Sequence, residues 1–434
     1  MPGASSKPTR PRLEIITFGW EMEVLLRTKE EETVGGIDLT DQKLREFASD
    51  IAALVPDLPV AAECSHVPSK TCAVCKDASS EFRSTGLRVF TPAKPMFQPE
   101  GGVSEYLYFF FMSEFVSTPK AKAGEAAAYC FEIASPILDS RELEAGLPRT
   151  AKIVSALRNS KLGITAHTGC GLHFHVGVKS GMTLDIAKKV CTLIMLLEVP
   201  LLTAFCPPER ISDHYFMPIH RTSWYADDAK AKRHDTASKT PTRELLEHFS
   251  VPLERLKPAD WNDGNPKRWY TTLNSIWKAK DMCELSNKLC ASIGEKSSLF
   301  LCVRDESGIL QSYIAPDEDS SKFEGTPSTL EFRYPPMSFD IEYVKHWAEI
   351  ASQVVQTASC GAPAFRQAAA NILQELQRDG KEVGSPMWAR LLTLLGLGHQ
   401  IEYWKQQLPR FAAGEPIRFL GSDGFVLPDK QNSR

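Results

Sequence analysis

Long hydrophobic runs are missing from this chain of 434 residues, and none approaches the roughly 20 residues that a membrane-spanning helix requires. Residues 1–12 are rich in Pro, Ser, Lys and Arg and lack an apolar core, so we expect a disordered lead-in rather than a secretory signal. A strong excess of one charge is also lacking, because the net charge is only −4. This balance argues against general attraction to nucleic acid or to an anionic membrane.

Common signatures of nucleotide binding and of disulfide frameworks are missing as well. The chain contains neither a Gly-x-x-x-x-Gly-Lys-Ser/Thr phosphate loop nor the protein-kinase motifs. Its 11 cysteines are an odd number, and most lie in apolar stretches, which is typical of reduced, buried thiols. We therefore predict a cytoplasmic protein without nucleic-acid or membrane partners.

What the chain does contain is a repeated arrangement of polar residues at alternate positions within apolar runs. Side chains two residues apart on a β-strand point to the same face of the sheet. Solvent-facing strands rarely combine such pairs, so we interpret the runs as strands of one sheet whose polar face is an active site. The pairs are Glu21 with Glu23, His173 with His175, and Glu331 with Arg333, and a fourth run offers Glu132 alone.

These residue types indicate a metal- and phosphate-binding site. Carboxylates with imidazoles bind divalent cations, and a set dominated by carboxylates prefers hard ions such as Mg²⁺ or Mn²⁺. Arginine binds phosphate through paired hydrogen bonds. Metal ions and arginine around a phosphate are what phosphoryl transfer requires.

Each candidate also has an ordinary structural alternative. The Glu pair could lie on a solvated strand face, and the His pair could be hydrogen-bonded to its neighbours. Glu132 could be a paired carboxylate at the edge of the core, and Arg333 could form a salt bridge with Glu331. Glu198, within an apolar helix, is either a buried partner of an arginine or a site residue. Arg210 follows a helix end and could simply cap backbone carbonyls.

A second cluster of metal-ligand residues lies within residues 64–75. The two-residue spacing between Cys72 and Cys75 suits one metal ion, and Cys64 with His66 would complete a Cys₃His structural zinc site. The alternative is a set of unliganded thiols in a surface loop.

Periodicity predicts a mixed succession of strands and helices. We assign residues 225–267 to an inserted lid, residues 13–360 to a catalytic domain, and residues 361–434 to a C-terminal helical extension with a tail. The predicted helices are 38–54, 141–157 with a break at 146–148, 183–205, 340–359, 365–376 and 386–408, and further predicted strands are 106–111, 164–178, 269–277 and 299–304.

The ordered motifs resemble the amidoligase family, which is related to glutamine synthetase and γ-glutamylcysteine synthetase. The resemblance covers about residues 18–359 and is carried by Phe18-Gly-Trp-Glu-Met-Glu23, Phe131-Glu-Ile-Ala-Ser-Pro-Ile-Leu138, Cys170-Gly-Leu-His-Phe-His-Val-Gly177, Glu198, Pro208-Glu-Arg210 and Leu330-Glu-Phe-Arg333. It implies an α+β, glutamine-synthetase-like fold, in which a curved antiparallel sheet flanked by helices cups the active site. It also implies ATP- and Mg²⁺-dependent condensation of a carboxylate with an amine through an acyl-phosphate.

The resemblance further implies a role for each matching residue. The implied metal ligands are Glu21, Glu23, Glu132, His175 and Glu331; the implied cofactor contacts are Arg333, His175 and Glu198; and the implied catalytic residues are Arg333, Arg210, His173 and Glu331.

One stretch departs from the family pattern. The family has a Trp-x-Val strand leading to an Asp-x-Ser segment, whereas this chain has Tyr108-Phe-Phe-Phe-Met-Ser-Glu114, in which Glu114 would replace the Asp.

Two alternatives to the ligase stay open. One is a metallohydrolase built on the histidine pair and a Glu. The other, suggested by the departing segment, is a degenerate ligase fold that only binds ligands. We expect the substrates to be a small-molecule or peptide carboxylate and an amine, and the sequence is compatible with an oligomer.

Overall fold

The structure is a computed structural model. It describes residues 14–27, 37–63, 87–90, 97–98, 102–114, 128–166, 169–212, 216–226, 245, 247, 266–291, 295–311, 319–378 and 385–413. The predicted lead-in (1–12), zinc cluster (64–75) and terminal tail, and most of the predicted lid (225–267), lie outside these residues. The domain boundaries stay a prediction.

The described strands form one large sheet and one small hairpin. The large sheet has the strand order β11-β12-β10-β1-β7-β6-β2-β3, with β8 and β9 also paired to β1, and β4 pairs with β5 separately. The strands are β1 (Ile16–Arg27), β2 (Val60–Glu63), β3 (Arg88–Phe90), β4 (Phe97–Gln98), β5 (Gly102–Val103), β6 (Phe109–Ser113), β7 (Ala128–Ala134), β8 (Leu138–Asp139), β9 (Ile164–Thr165), β10 (Leu172–Val178), β11 (Leu299–Cys302) and β12 (Thr329–Phe332).

The sheet is mostly antiparallel, as the resemblance implied. Strand β1 lies between its antiparallel partners β10 and β7, and β12 pairs with β10 in the same sense. At one edge, however, β2 runs parallel to both β3 and β6. The central strands, which carry the polar pairs, therefore form the regular antiparallel part of the sheet.

Helices pack against this sheet and against one another. They are α1 (Ile37–Leu54), α2 (Ser140–Glu144), α3 (Pro148–Asn159), α4 (Leu184–Leu197), α5 (Pro208–Ile211), α6 (Ile219–Thr222), α7 (Pro266–Trp277), α8 (Met282–Leu289), α9 (Ile341–Ser359), α10 (Ala362–Leu376), α11 (Met387–Leu394) and α12 (Ile401–Ala412). Helix α9 packs against β1 and β10, and α1 packs against β2 and β6.

The alternation predicted for β1 is confirmed. Trp20, Met22 and Val24 are fully buried in the hydrophobic core, on the face opposite to the two glutamates. Trp20 Nε1 donates a hydrogen bond to Thr150 Oγ1 of α3 at 2.9 Å, which fixes that helix against the sheet. Burial of such large side chains is the main stabilising contribution that holds β1 in place.

Most of the predicted helices are confirmed, including the break between α2 and α3 and the buried stripe of α9 around Trp347. The predicted strand at residues 269–277 is wrong, because these residues belong to helix α7. Its aromatic and Thr residues favour strands. However, Leu273, Ile276 and Trp277, all buried, recur at helical spacing and place one face of α7 in the core.

Two further segments differ in detail from the prediction. The apolar helix that begins at Leu184 is α-helical to Leu197 and continues as a π-helical turn, Glu198–Leu202. The last predicted helix is divided into α11 and α12 by a short 3₁₀ segment, Gly398–Gln400. Among the described residues, no helix is both long and apolar enough to cross a membrane.

Candidate active site

The register of the central strands brings the predicted polar residues onto one face. Glu21 of β1 lies opposite His173 of β10, and Glu23 lies opposite Glu132 of β7. On the other side of β10, His175 lies opposite Glu331 of β12. Residues paired across antiparallel strands point to the same face, so the polar pairs form one contiguous surface.

Glu21 is held between the two histidines. His175 Nε2 lies 2.9 Å from one of its carboxylate oxygens, and His173 Nδ1 lies 3.4 Å from the other. Burial opposes ionisation of Glu21, but the charge of His175 and the two histidine contacts outweigh it and hold the pKa of Glu21 well below its usual range. Burial likewise opposes protonation of His175, yet the Glu21 carboxylate raises the pKa of that imidazole well above its ordinary value.

Glu23 is fixed by the backbone of Gly171. Its backbone N–H donates to the Gly171 carbonyl at 3.1 Å, and its carboxylate accepts a hydrogen bond from the Gly171 N–H. Residue 171 must lack a side chain, because a Cβ there would lie 2.2 Å from His173 Nε2. The glycine thus allows the imidazole of His173 to lie directly over the backbone that holds Glu23.

Glu331 is fully buried at the base of the site and is surrounded by donors. Lys296 Nζ lies 2.7 Å from one oxygen, Arg333 Nη1 donates to the other, and Cys302 Sγ donates to the first at 3.4 Å. Burial disfavours its ionised form, but the charges of Lys296 and Arg333 more than compensate and hold the pKa of Glu331 well below the usual value. Glu331 is therefore an ionised anchor that positions two cations.

The opposite situation holds at Glu132. Burial raises the pKa of this carboxyl well above 4.5, and the negative charges of Glu21, Glu114 and Glu23 raise it further. Such mutual repulsion is relieved when a divalent cation lies between the carboxylates. The donor set of buried carboxylates with nearby imidazoles therefore fits Mg²⁺ or Mn²⁺. Glu21, Glu132 and His173 each offer one ligand atom, all within 4.8 Å of one another.

The polar face opens into a cavity of about 1360 Å³. This volume exceeds that of a typical small-molecule site, so the cavity has room for more than one small molecule. Its lining includes both acidic and basic side chains: Glu21, Glu23, Glu114, Glu132, His175, Lys296, Arg304 and Arg333. His173 and Glu331 are buried and contact these lining residues from behind.

Glu198 is placed away from this cavity, in a buried cluster of its own. Its carboxylate accepts hydrogen bonds from the Ile219 N–H at 2.9 Å and from the Tyr334 hydroxyl at 2.6 Å, and the His220 N–H and imidazole lie beside it. It holds α6 against the segment that follows β12. This arrangement corresponds to the structural alternative, although its partners are a tyrosine and a histidine rather than an arginine.

Arg210 is also buried outside the lining of the cavity. Its guanidinium donates to the backbone carbonyls of Gly169 at 3.2 Å, Arg333 at 3.2 Å and Tyr334 at 3.4 Å. It joins the segment before β10 to the end of β12 and so positions the backbone of Arg333. The carbonyls that it binds belong to neighbouring loops rather than to a helix end.

The structure also adds cavity residues that the sequence did not single out. Lys296 contacts Glu331, and Arg304 stacks over Tyr106 with its guanidinium carbon 5.1 Å from the ring centroid. Arg304 also donates to the Gly308 carbonyl at 3.2 Å. No motif surrounds these residues, which lie just before and just after β11, and the pairing of β11 with β12 brings them to the site. The predicted zinc ligands Cys64, His66, Cys72 and Cys75 lie outside the described residues.

Fold and site together define a mixed α/β protein with a carboxylate- and cation-lined cavity on one face of an antiparallel sheet. Residues 73–277 match the model of a family described as "Putative amidoligase enzyme", which confirms the resemblance drawn from the motifs and supports an amide-bond-forming ligase. The match includes Glu132 and both histidines, whereas Glu21, Glu23 and Glu331 lie outside it and join the site through strand pairing. No curated protein matches the chain.

Proposed function

We propose that this protein is an ATP- and Mg²⁺-dependent ligase that joins a carboxylate to an amine and releases ADP and phosphate. One observation carries the proposal: a single cavity is lined by buried carboxylates on β1 and β7 and by two cationic side chains, Lys296 and Arg333, beside β12. The carboxylates suit divalent cations, and the cationic side chains suit phosphate oxygens.

The proposed reaction has two balanced steps. An oxygen of the substrate carboxylate attacks the γ-phosphorus of ATP, the bond to the β-phosphate oxygen breaks, and ADP leaves. The amine nitrogen then attacks the carbonyl carbon of the acyl-phosphate, inorganic phosphate leaves, and the nitrogen loses a proton. Bound Mg²⁺ would supply charge neutralisation at the phosphates.

This chain's own residues would orient and stabilise the reacting groups. Glu21, Glu23 and Glu132 would hold the metal ions, with His175 beside them. Arg333 and Lys296 would neutralise the transferring phosphoryl group, for which Glu331 fixes their positions. The fold would be glutamine-synthetase-like and the protein cytoplasmic, with small-molecule or peptide acids and amines as its substrates.

The departing segment around β6 also contributes to the site. Glu114 lies at its end, lines the cavity and contributes to the raised pKa of Glu132. Glu114 would bind the amine substrate or a further cation, in the place of the Asp of the family pattern. This placement supports an active ligase over a degenerate one.

The experiment that tests the proposal measures ADP formation with Mg-ATP and pooled amino acids, peptides and amines. Wild type is compared with Glu21→Ala and Arg333→Ala, and Lys288→Ala is the control because Lys288 pairs with Glu284 outside the cavity lining. Substrate-dependent ADP that disappears in the two site variants and persists in the control would support the ligase.

Binding of Mg-ATP is measured on the same folded samples. If neither binding nor ADP formation is found, the ligase proposal is wrong. ATP-independent hydrolysis of amides or esters would then favour the metallohydrolase, with His173, His175 and Glu21 as its metal ligands. Binding of Mg-ATP without turnover of any acid–amine pair would favour the degenerate ligase fold.

A further inference from the structure

A second cluster of metal-ligand side chains lies away from the cavity lining, where the C-terminal helices pack against α9. His346 and Glu349 are three residues apart on α9 and therefore share one helix face. His399 reaches them from the 3₁₀ segment Gly398–Gln400. One ligand atom from each of the three lies within 4.8 Å of the others.

Both imidazoles point to the same carboxylate oxygen. His346 Nδ1 lies 3.4 Å and His399 Nε2 lies 2.9 Å from Oε2 of Glu349. Zinc ligands at bond lengths of about 2.0–2.1 Å in tetrahedral geometry are separated by about 3.3 Å. The two separations from Glu349 are close to that edge length, and the two imidazole nitrogens lie within 4.8 Å of each other, so side-chain shifts would let one zinc ion bind all three.

The cluster has a second layer that fixes its ligands. Gln400 is fully buried and its side-chain N–H donates to Oε2 of Glu349 at 2.7 Å, while Trp404 Nε1 donates to the Gln400 side-chain oxygen at 3.0 Å. The His346 ring lies 4.4 Å from the Tyr403 ring, measured between centroids. Supporting contacts of this kind orient the ligands of established metal sites.

A neighbouring lysine pairs with one oxygen of the Glu349 carboxylate and not with the oxygen that faces the imidazoles. Lys345 Nζ, four residues before Glu349, lies 3.7 Å from the other carboxylate oxygen, Oε1. Oε2 is thus the oxygen that the imidazoles share. His346 and Glu349 are largely buried, whereas the His399 side chain is 54% exposed, which gives an ion an entry path and leaves a coordination position for water.

We propose that His346, Glu349 and His399 form a zinc site that fastens the C-terminal helices to α9. Two imidazoles and one carboxylate are a donor set found around Zn²⁺, and imidazoles favour Zn²⁺ over Mg²⁺. Helix α9 packs against β1 and β10, the strands that carry the cavity carboxylates and histidines. The ion would therefore stabilise the support of the active site without entering the cavity. This proposal does not depend on the ligase reaction.

The experiment titrates Zn²⁺ into the metal-stripped full chain in a slightly alkaline buffer, because protons compete with zinc for its ligands. Bound equivalents are counted by elemental analysis after gel filtration, and affinity is measured by calorimetry. Cavity carboxylates and the cysteines also take zinc, so the difference between matched variants is decisive. His399→Ala should lose one equivalent relative to wild type. Because the His399 side chain is exposed, the substitution should leave the fold intact, and circular dichroism checks this.

Lys345→Met is the matched control, since it removes a neighbouring charge but no ligand, and it should keep the equivalent. Glu349→Gln should weaken binding at least tenfold. With Co²⁺, the spectrum lost in His399→Ala should show d–d bands without thiolate charge transfer, which distinguishes this site from the cysteine cluster. Unchanged equivalents and an unchanged cobalt spectrum in His399→Ala would overturn the proposal.

Discussion

Glu23 on β1 and Glu132 on β7 are direct cross-strand partners, and both carboxylates are buried on the same face of the sheet. Like charges opposite each other destabilise a sheet. Burial raises the pKa of Glu132 most, and the negative charges of Glu21, Glu114 and Glu23 raise it further. The protein thus carries an electrostatic cost that a bound divalent cation would relieve.

Substitution Glu132→Gln should stabilise the metal-free protein at neutral and higher pH. The pKa of Glu132 is raised above its ordinary 4.5 in the folded state, so the folded state retains a proton that the unfolded state has released. Its contribution to stability is favourable at low pH and is lost as the pH rises from 4.5 through the folded-state pKa. Thermal unfolding in chelator across this range should show the gap between variant and wild type widening with pH.

The same variant should lose the stabilisation that Mg²⁺ gives to wild type, because it removes one ligand charge. Glu144→Gln is the control, as Glu144 is exposed on α2. A Tm for metal-free Glu132→Gln below that of wild type at high pH would contradict the account of carboxylate repulsion.

Lys296→Met should lower ADP formation by about 10²-fold, the usual cost of removing one donor that stabilises developing charge. Lys296 Nζ binds Glu331 at 2.7 Å and lines the cavity beside Arg333. Initial rates at saturating Mg-ATP are the measurement. Lys288→Met is the matched control, and a rate for Lys296→Met within twofold of the control would show that this residue does not act on the phosphoryl group.

The residues that alternate within strands were predictable from sequence, because a two-residue period fixes which side chains share a face. Glu21, Glu23 and His173 meet as expected for this reason. The places of Lys296 and Arg304 in the site were not predictable, since each reaches the cavity through contacts with residues far away in the sequence, Glu331 and Tyr106 respectively. The local sequence pattern determines which face of a strand a side chain occupies, whereas contacts between residues far apart in the sequence depend on the whole fold.

Glu198 shows that the position of a residue within a motif does not by itself reveal what its side chain contacts. A charged residue in an apolar helix indicates a buried contact, but the sequence does not say whether the contact is a ligand or a neighbouring side chain. The π-helical turn that begins at Glu198 directs it to Tyr334 and His220. Similarly, the β-favouring residues at 270–272 led to the prediction of a strand, although the apolar residues of α7 recur at helical spacing. Tertiary packing of that apolar face favours the helix over the local strand preference.

Gly171→Ala should disturb the site through a single added carbon. The new Cβ would lie 2.2 Å from His173 Nε2, and His173 is buried, so the imidazole must move away from Glu23. We expect overpacking to cost about 1–3 kcal/mol of stability and Mg²⁺ affinity to fall about 10- to 100-fold. Gly361→Ala, where a Cβ meets no atom closer than 4.0 Å, is the control. Equal Mg²⁺ affinity in the two variants would exclude a positioning role for this glycine.

Tyr334→Phe should separate stability from activity at the buried Glu198 cluster. The variant removes the hydroxyl that donates to Glu198 at 2.6 Å and leaves the carboxylate with the Ile219 N–H and His220. Losing one donor to a buried charged group costs about 1–3 kcal/mol, so the urea midpoint should fall. ADP formation should stay within about twofold of wild type, because the cluster does not line the cavity. Tyr403→Phe, whose hydroxyl lies 3.5 Å from Asp340 in a partly exposed contact, should change neither quantity. A selective rise in the KM for ATP in folded Tyr334→Phe would instead support the cofactor role that the family resemblance implied for Glu198.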